Sequence, residues 1–147
     1  MNITVLLDAG PLGMISNPRA TVANTECYEW MEALVVSGAQ VFVPEIADYE
    51  VRRELLRAGK TQGIARLDLI KNTIGYLAIT TSIMLKAAEL WAEARRSGMP
   101  TADPKALDCD VILAAQALEV KGIVASENIG HLSRFVPAKH WRDINGQ

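Results

Sequence analysis

The sequence predicts an α/β protein: a three-layer α/β/α sandwich with a mostly parallel central sheet. Two observations predict it. Short apolar runs alternate with segments of helical periodicity along most of the chain, the pattern that buries a parallel sheet between helices. Half of the 147 residues are apolar, enough to fill the core of one domain of ordinary size over residues 1–147. No repeat, low-complexity segment or linker divides that span.

Each element follows from local pattern. ITVLL (3–7) is a β-branched and aliphatic run, read as a buried strand. Residues 24–37 read as a helix, with Asn24 as N-cap and Gly38 just past its end. QVFV (40–43) is the second strand. PEIADYEVRRELLRAG (44–59) has proline at a helix start and glycine at its end. Residues 61–74 form a further helix, YLAIT (76–80) a short strand, and 82–97 carry apolar residues at helical spacing. The loop GMPTADPKA (98–106) leads into LDCDVILAAQALEVKG (107–122), a helix with aspartates at its start and glycine at its end. IVAS (123–126) is a strand, and HWRDI (140–144) suggests a last short one.

Composition narrows the function. The net charge of −2 gives no global attraction for polyanions, so any nucleic-acid contact requires a local basic cluster. The apolar content argues against disorder. Cys27 and Cys109 have no CxxC spacing, which argues against a zinc site and for two reduced, packed thiols in a cytoplasmic protein. No apolar run reaches membrane-span length and no signal segment opens the chain.

Acidic residues stand out. Asp8 ends the first strand in LLDAGPLG, and ligands of such sheets bind outside the carboxyl ends of the strands. An aspartate before Ala-Gly is also a common turn residue. Glu50 lies within EIADYEVRREL, as an active-site acid or an exposed one beside Arg53. Asp108 and Asp110 open an almost wholly apolar helix. One of them serves as N-cap or dipole partner, and the other is left over as a functional carboxylate. Carboxylates converging at a strand end repel each other unless a hard cation such as Mg²⁺ or Mn²⁺ holds them. Such a cluster activates water and steadies the charge that develops on a phosphodiester. Close packing through Ala114, Ala115 and Ala117 would bring Asp110 toward Asp8.

Four segments in this order resemble the PIN-domain ribonucleases, in particular the small VapC-like toxins of toxin–antitoxin modules. LLDAGPLG is similar to the opening strand and first acid, Asp8. VPEIADYEVRREL is similar to the second acidic segment, with Glu50. LDCDVILAAQAL resembles the helix of the third acid, Asp110. IVASENIGHLSRF resembles the closing strand and turn, with Ser126 before Asn128. The resemblance covers nearly the whole chain.

It implies Mg²⁺- or Mn²⁺-dependent hydrolysis of RNA, with Asp8, Glu50 and Asp110 as catalytic and metal-holding residues. Ser126 and Asn128 are expected to orient ligands or a phosphate by hydrogen bonds, and Arg52, Arg53, Arg57 and Lys60 form a basic stretch that either holds RNA phosphates or is a solvated helix face. It also implies a homodimer and an antitoxin partner covering the acids. The chain departs from the family where many members carry a fourth acid: His131 stands there, and Asp108 is the candidate replacement.

Three other readings compete. A haloacid-dehalogenase-like phosphatase needs a second acid two residues after Asp8, where Gly10 stands. A dinucleotide-binding domain needs GxGxxG, which DAGPLG does not supply. The third is a catalytically degenerate PIN domain that binds RNA or protein without cutting. His131 favours it and the three retained acids oppose it.

Overall fold

A computed structural model describes residues 2–98, 104–130 and 132–146. In chain order the elements are β1 (Thr4–Leu7), α1 (Ala9–Ser16), α2 (Val22–Val36), β2 (Gln40–Pro44), α3 (Glu45–Arg57), α4 (Thr61–Thr73), β3 (Gly75–Leu77), α5 (Thr81–Arg96), α6 (Pro104–Val120), β4 (Ile123–Ser126) and β5 (Ala138–His140). Two 3-10 turns, Leu132–Arg134 and Trp141–Asp143, flank β5.

The five strands form one parallel sheet in the order β3-β2-β1-β4-β5. β1 is central, with Val5 opposite both Val41 and Ile123. Its residues 5–7 are fully buried, because a central parallel strand is covered on both faces. Alternation along the strand divides the core. Val5 and Leu7 pack with Leu12, Ile15, Met31, Leu34 and Leu67 from α1, α2 and α4. Leu6 faces the opposite layer, with Ile83, Ala87 and Leu90 of α5 and Val111, Ala114 and Ala117 of α6. The three-layer α/β/α sandwich expected from the sequence is the observed architecture.

Several local readings require correction. The segment after Asp8 is a helix, α1, and not only a turn: Pro11 sits in its first turn, where a missing N–H costs nothing. The N-cap of α2 is Thr21, whose hydroxyl accepts from the Asn24 N–H at 3.1 Å. β3 ends at Leu77, short of the predicted Thr80, and the Ile79 N–H beyond it donates to the Glu45 side chain at 2.6 Å. α6 begins at Pro104, so Asp108 is not its N-cap and neither aspartate lies in its first turn. At its end the left-handed residue is Lys121 (φ 53°), not Gly122. The last strand is Ala138–His140, and Trp141–Asp143 turn away from it. Gly38 and Gly59, with φ of 93° and 66°, end α2 and α3 as the sequence predicted.

Candidate active site

The chain runs from β1 to β2 and β3 on one side and later to β4 and β5 on the other. The carboxyl ends of β1 and β4 therefore flank the point where the winding reverses, the usual crevice of such sheets. Asp8 sits there. Its N–H donates to Ala125 O at 3.0 Å, extending the β1–β4 ladder by one residue. Its carboxylate is fixed at both oxygens: Oδ1 accepts from the Ala9 N–H at 2.7 Å and Oδ2 from the Ser126 hydroxyl at 2.8 Å. Gly10 allows this closeness, because a Cβ there would lie 2.7 Å from Cβ of Glu127. Glu127 is itself held by the Trp141 indole N–H at 2.6 Å.

Glu50 comes from the middle of α3 and Asp110 from the second turn of α6. Burial raises the pKa of Asp8 above the ordinary aspartate value, against the pull of the Ala9 and Ser126 hydrogen bonds. Burial first, then the Asp8 charge, raises Asp110 to about 6. Burial, Asp8 and Asp110 push Glu50 up to about 7, opposed by Arg53. These three acids therefore feel one another across the strand ends.

Asp108 does not join them. It is exposed, and residues two apart on a helix do not share a face. Ser126 is buried and has one proton for two acceptors, Asp8 Oδ2 and the Asn128 carbonyl, each at 2.8 Å. The Asn128 N–H donates back to it at 3.1 Å, while Asn128 Oδ1 accepts from the Gly130 N–H at 3.2 Å. Asn128 thus shapes the turn after β4. His131 lies outside the described residues.

Among the described residues, no three His, Cys, Asp or Glu side chains close into a metal cage by themselves. The donors are nonetheless hard oxygens, and Mg²⁺ takes one or two carboxylates and keeps several waters. Cys109, the soft donor nearby, is held protonated: burial and the Glu50 charge raise it to about 11. By its chemistry, a set of carboxylate oxygens suits a hydrated hard cation rather than a soft one.

Comparison with known proteins bears on the fold. No family model and no curated protein matches the chain. Its backbone is similar to one in the VapBC2 complex of Rickettsia felis bound to promoter DNA, with TM-score 0.76 and 15% identity over 95% of this chain and 99% of that one. It is also similar to one in FitAcB from Neisseria gonorrhoeae, with TM-score 0.71 and 18% identity over 95% and 99%. A third likeness is to VapBC-1 of nontypeable Haemophilus influenzae, with TM-score 0.66 and 14% identity over 96% and 100%. The chain has a PIN-like fold.

On this PIN-like fold a groove of about 980 Å³ opens beside the acids. Ala9, Gly10 and Gly13 of α1 line one side, and Glu50, Arg53 and Lys60 the other. The two arginines proposed for RNA part company here. Arg53 lies over the Tyr49 ring at 5.0 Å and lines the groove. Arg52 is bound to Asp48 at 3.0 Å and to Asp68 at 2.6 Å, away from it.

Sequence reasoning missed two features of the site. Arg19 lines the groove from the loop after α1, and a lone cation in a loop gives no signal. Gln116 is fully buried on α6: Oε1 accepts from the Ile46 N–H at 3.3 Å and Nε2 donates to Leu77 O at 2.7 Å. It ties α6 to the start of the helix that carries Glu50. A glutamine amid alanines on an apolar helix was the available signal.

Proposed function

We propose that this chain is a Mg²⁺- or Mn²⁺-dependent endoribonuclease and the toxin of a toxin–antitoxin pair. The observation that carries this reading is the meeting of Asp8, Glu50 and Asp110, from three distant segments, at the winding reversal of the sheet. Each is a weaker acid than usual, and Asp8 contributes to the shift of both others. A divalent cation relieves that repulsion, and when bound it supplies Lewis acidity and lowers the pKa of a water it holds.

The chain's own residues do the rest. Asp8, clamped by the Ala9 N–H and Ser126, presents a carboxylate of fixed orientation. Glu50 of α3 and Asp110 of α6 lie close enough to feel its charge. Arg53 stands beside Glu50 on the groove side, placed to meet a substrate phosphate. An antitoxin partner is proposed by extension from the VapBC and FitAcB complexes, in each of which one chain shares this fold.

The decisive experiment incubates the protein with a panel of structured and single-stranded RNAs in EDTA, Mg²⁺ or Mn²⁺, with Asp110→Asn alongside. Metal-dependent cleavage that the variant loses supports the nuclease. One observation favours a second reading, a PIN-like module that binds RNA without cutting: the described residues form no ready metal cage. RNA binding without cleavage, and without a Mn²⁺ site that depends on the carboxylates, would establish that reading instead.

A further inference from the structure

The turn after β4 is held by the last turn of the chain. Ser126 ends β4 opposite His140 of β5, so Trp141 comes directly after the residue beside the serine. Trp141 is buried, and a buried indole N–H needs an acceptor. It finds Glu127 Oε2 at 2.6 Å, a short bond of the kind a charged acceptor makes. His140 supports the same carboxylate. Its Nδ1 accepts from the Arg142 N–H at 3.1 Å, which in the neutral ring leaves the proton on Nε2, 3.5 Å from Glu127 Oε2.

Trp141 is a firm anchor. Its ring packs against Trp30 of α2 at 5.6 Å, and the Arg142 guanidinium lies 4.3 Å from its centre. Arg142 reaches on to Glu26 of α2, and the Trp30 indole N–H donates to Ile144 O at 2.8 Å. On its other side the turn meets α1, where a Cβ on Gly10 would lie 2.7 Å from Cβ of Glu127. The turn therefore sits between two fixed surfaces. Ser126, whose hydroxyl donates to Asp8, is one residue away from both contacts. After burial, the Glu127 charge is the next cause that raises the Cys27 thiol of α2, to about 12, so this carboxylate lies toward the α2 layer.

We propose that Glu127 and Trp141 are positioning residues of the acidic site: their hydrogen bond holds the turn after β4 against α1 and so keeps the Ser126 hydroxyl on Asp8. This rests on the metal-dependent reading above and adds to it two residues that act only through Ser126.

The test titrates Mn²⁺ into metal-free protein, comparing wild type with Glu127→Ala, Glu127→Gln, Ser126→Ala and the double variant Ser126→Ala/Glu127→Ala. Glu127 is exposed, so its variants are expected to fold, and a thermal melt in EDTA checks this. Glu127→Ala is expected to weaken Mn²⁺ binding about tenfold, the scale of an outer-shell contact. Glu127→Gln keeps an oxygen that accepts from the indole N–H and should bind Mn²⁺ as wild type does. The double variant should lose no more than Ser126→Ala alone, because the two residues act in one chain of contacts. Trp141→Phe keeps a ring, removes the donor and should match Glu127→Ala. Unchanged Mn²⁺ affinity in Glu127→Ala, a glutamine variant as weak as the alanine one, or losses that add in the double variant overturn the positioning role, while wild-type Mn²⁺ binding and cleavage leave the nuclease standing. A wild type without a carboxylate-dependent Mn²⁺ site overturns both.

Discussion

Ser126 and Asp8 lie 118 positions apart in sequence and 2.8 Å apart in space, joined by a hydrogen bond from the serine hydroxyl to Oδ2. Ser126→Ala removes that donor and also the acceptor of the Asn128 N–H. The variant is expected to lose about 1–3 kcal/mol of stability in urea unfolding. Because the hydroxyl orients a proposed metal ligand, Mn²⁺ affinity should fall about tenfold or more. A variant with unchanged Mn²⁺ affinity would show that Ser126 only shapes the turn.

Asp110→Asn removes one of the mutually repelling charges. Without metal, the variant is expected to melt about 2–4 °C above wild type, the shift that about 1 kcal/mol makes in a chain of this size. Calorimetry in EDTA checks it. A gain in metal-free stability together with a loss of cleavage is the signature of a functional carboxylate, whereas a purely structural acid would lose both.

The same charges set a pH dependence. Glu50 and Asp110 rise from 4.5 and 3.8 to about 7 and about 6 in the folded chain. The folded state therefore binds more protons than the unfolded state between those values, and metal-free stability falls as pH rises from about 4 to about 7. Urea midpoints in EDTA should drift downward over that range. Saturating Mn²⁺ should reverse the drift, since ligation requires the ionised carboxylates.

Gln116→Leu fills the same space but leaves the Ile46 N–H and the Leu77 carbonyl without their partner. The expected cost is about 2–4 kcal/mol by urea unfolding. Cleavage should fall as well, since Ile46 opens the helix that positions Glu50.

Lys121→Gly replaces the one described non-glycine residue with positive φ. The expected gain is about 0.5–1 kcal/mol, the strain of the left-handed conformation less the entropy cost of glycine. Thermal melting measures it, and cleavage should be unaffected.

Much of this was legible in the sequence because it depends on strong local signals. The runs ITVLL, QVFV and IVAS announced buried parallel strands, and placing Asp8 at a carboxyl end followed directly. Gly38 and Gly59 marked helix ends because few other residues tolerate their backbone angles. What escaped depends on tertiary context. α1 was hidden because Gly10 and Pro11 weaken helix propensity, which packing of Leu12 and Ile15 overrides. Asp108 looked equivalent to Asp110 until the start of α6 at Pro104 fixed which face each occupies. Arg52 and Arg53 are neighbours in sequence, and only the position of Asp48 and Asp68 separates an ion-paired guanidinium from one held by Tyr49.

The central position of β1 has a consequence during synthesis. β1 is made more than a hundred residues before one of its two neighbours, β4, which starts at Ile123. Until then Asp8 lacks the ladder partner and the hydroxyl that fix it, and a nascent chain holds all three acids without a finished site. Under the proposed ribonuclease reading, the site is expected to be competent only once β4 has been made and paired, so that the nascent chain carries its acids without their activity.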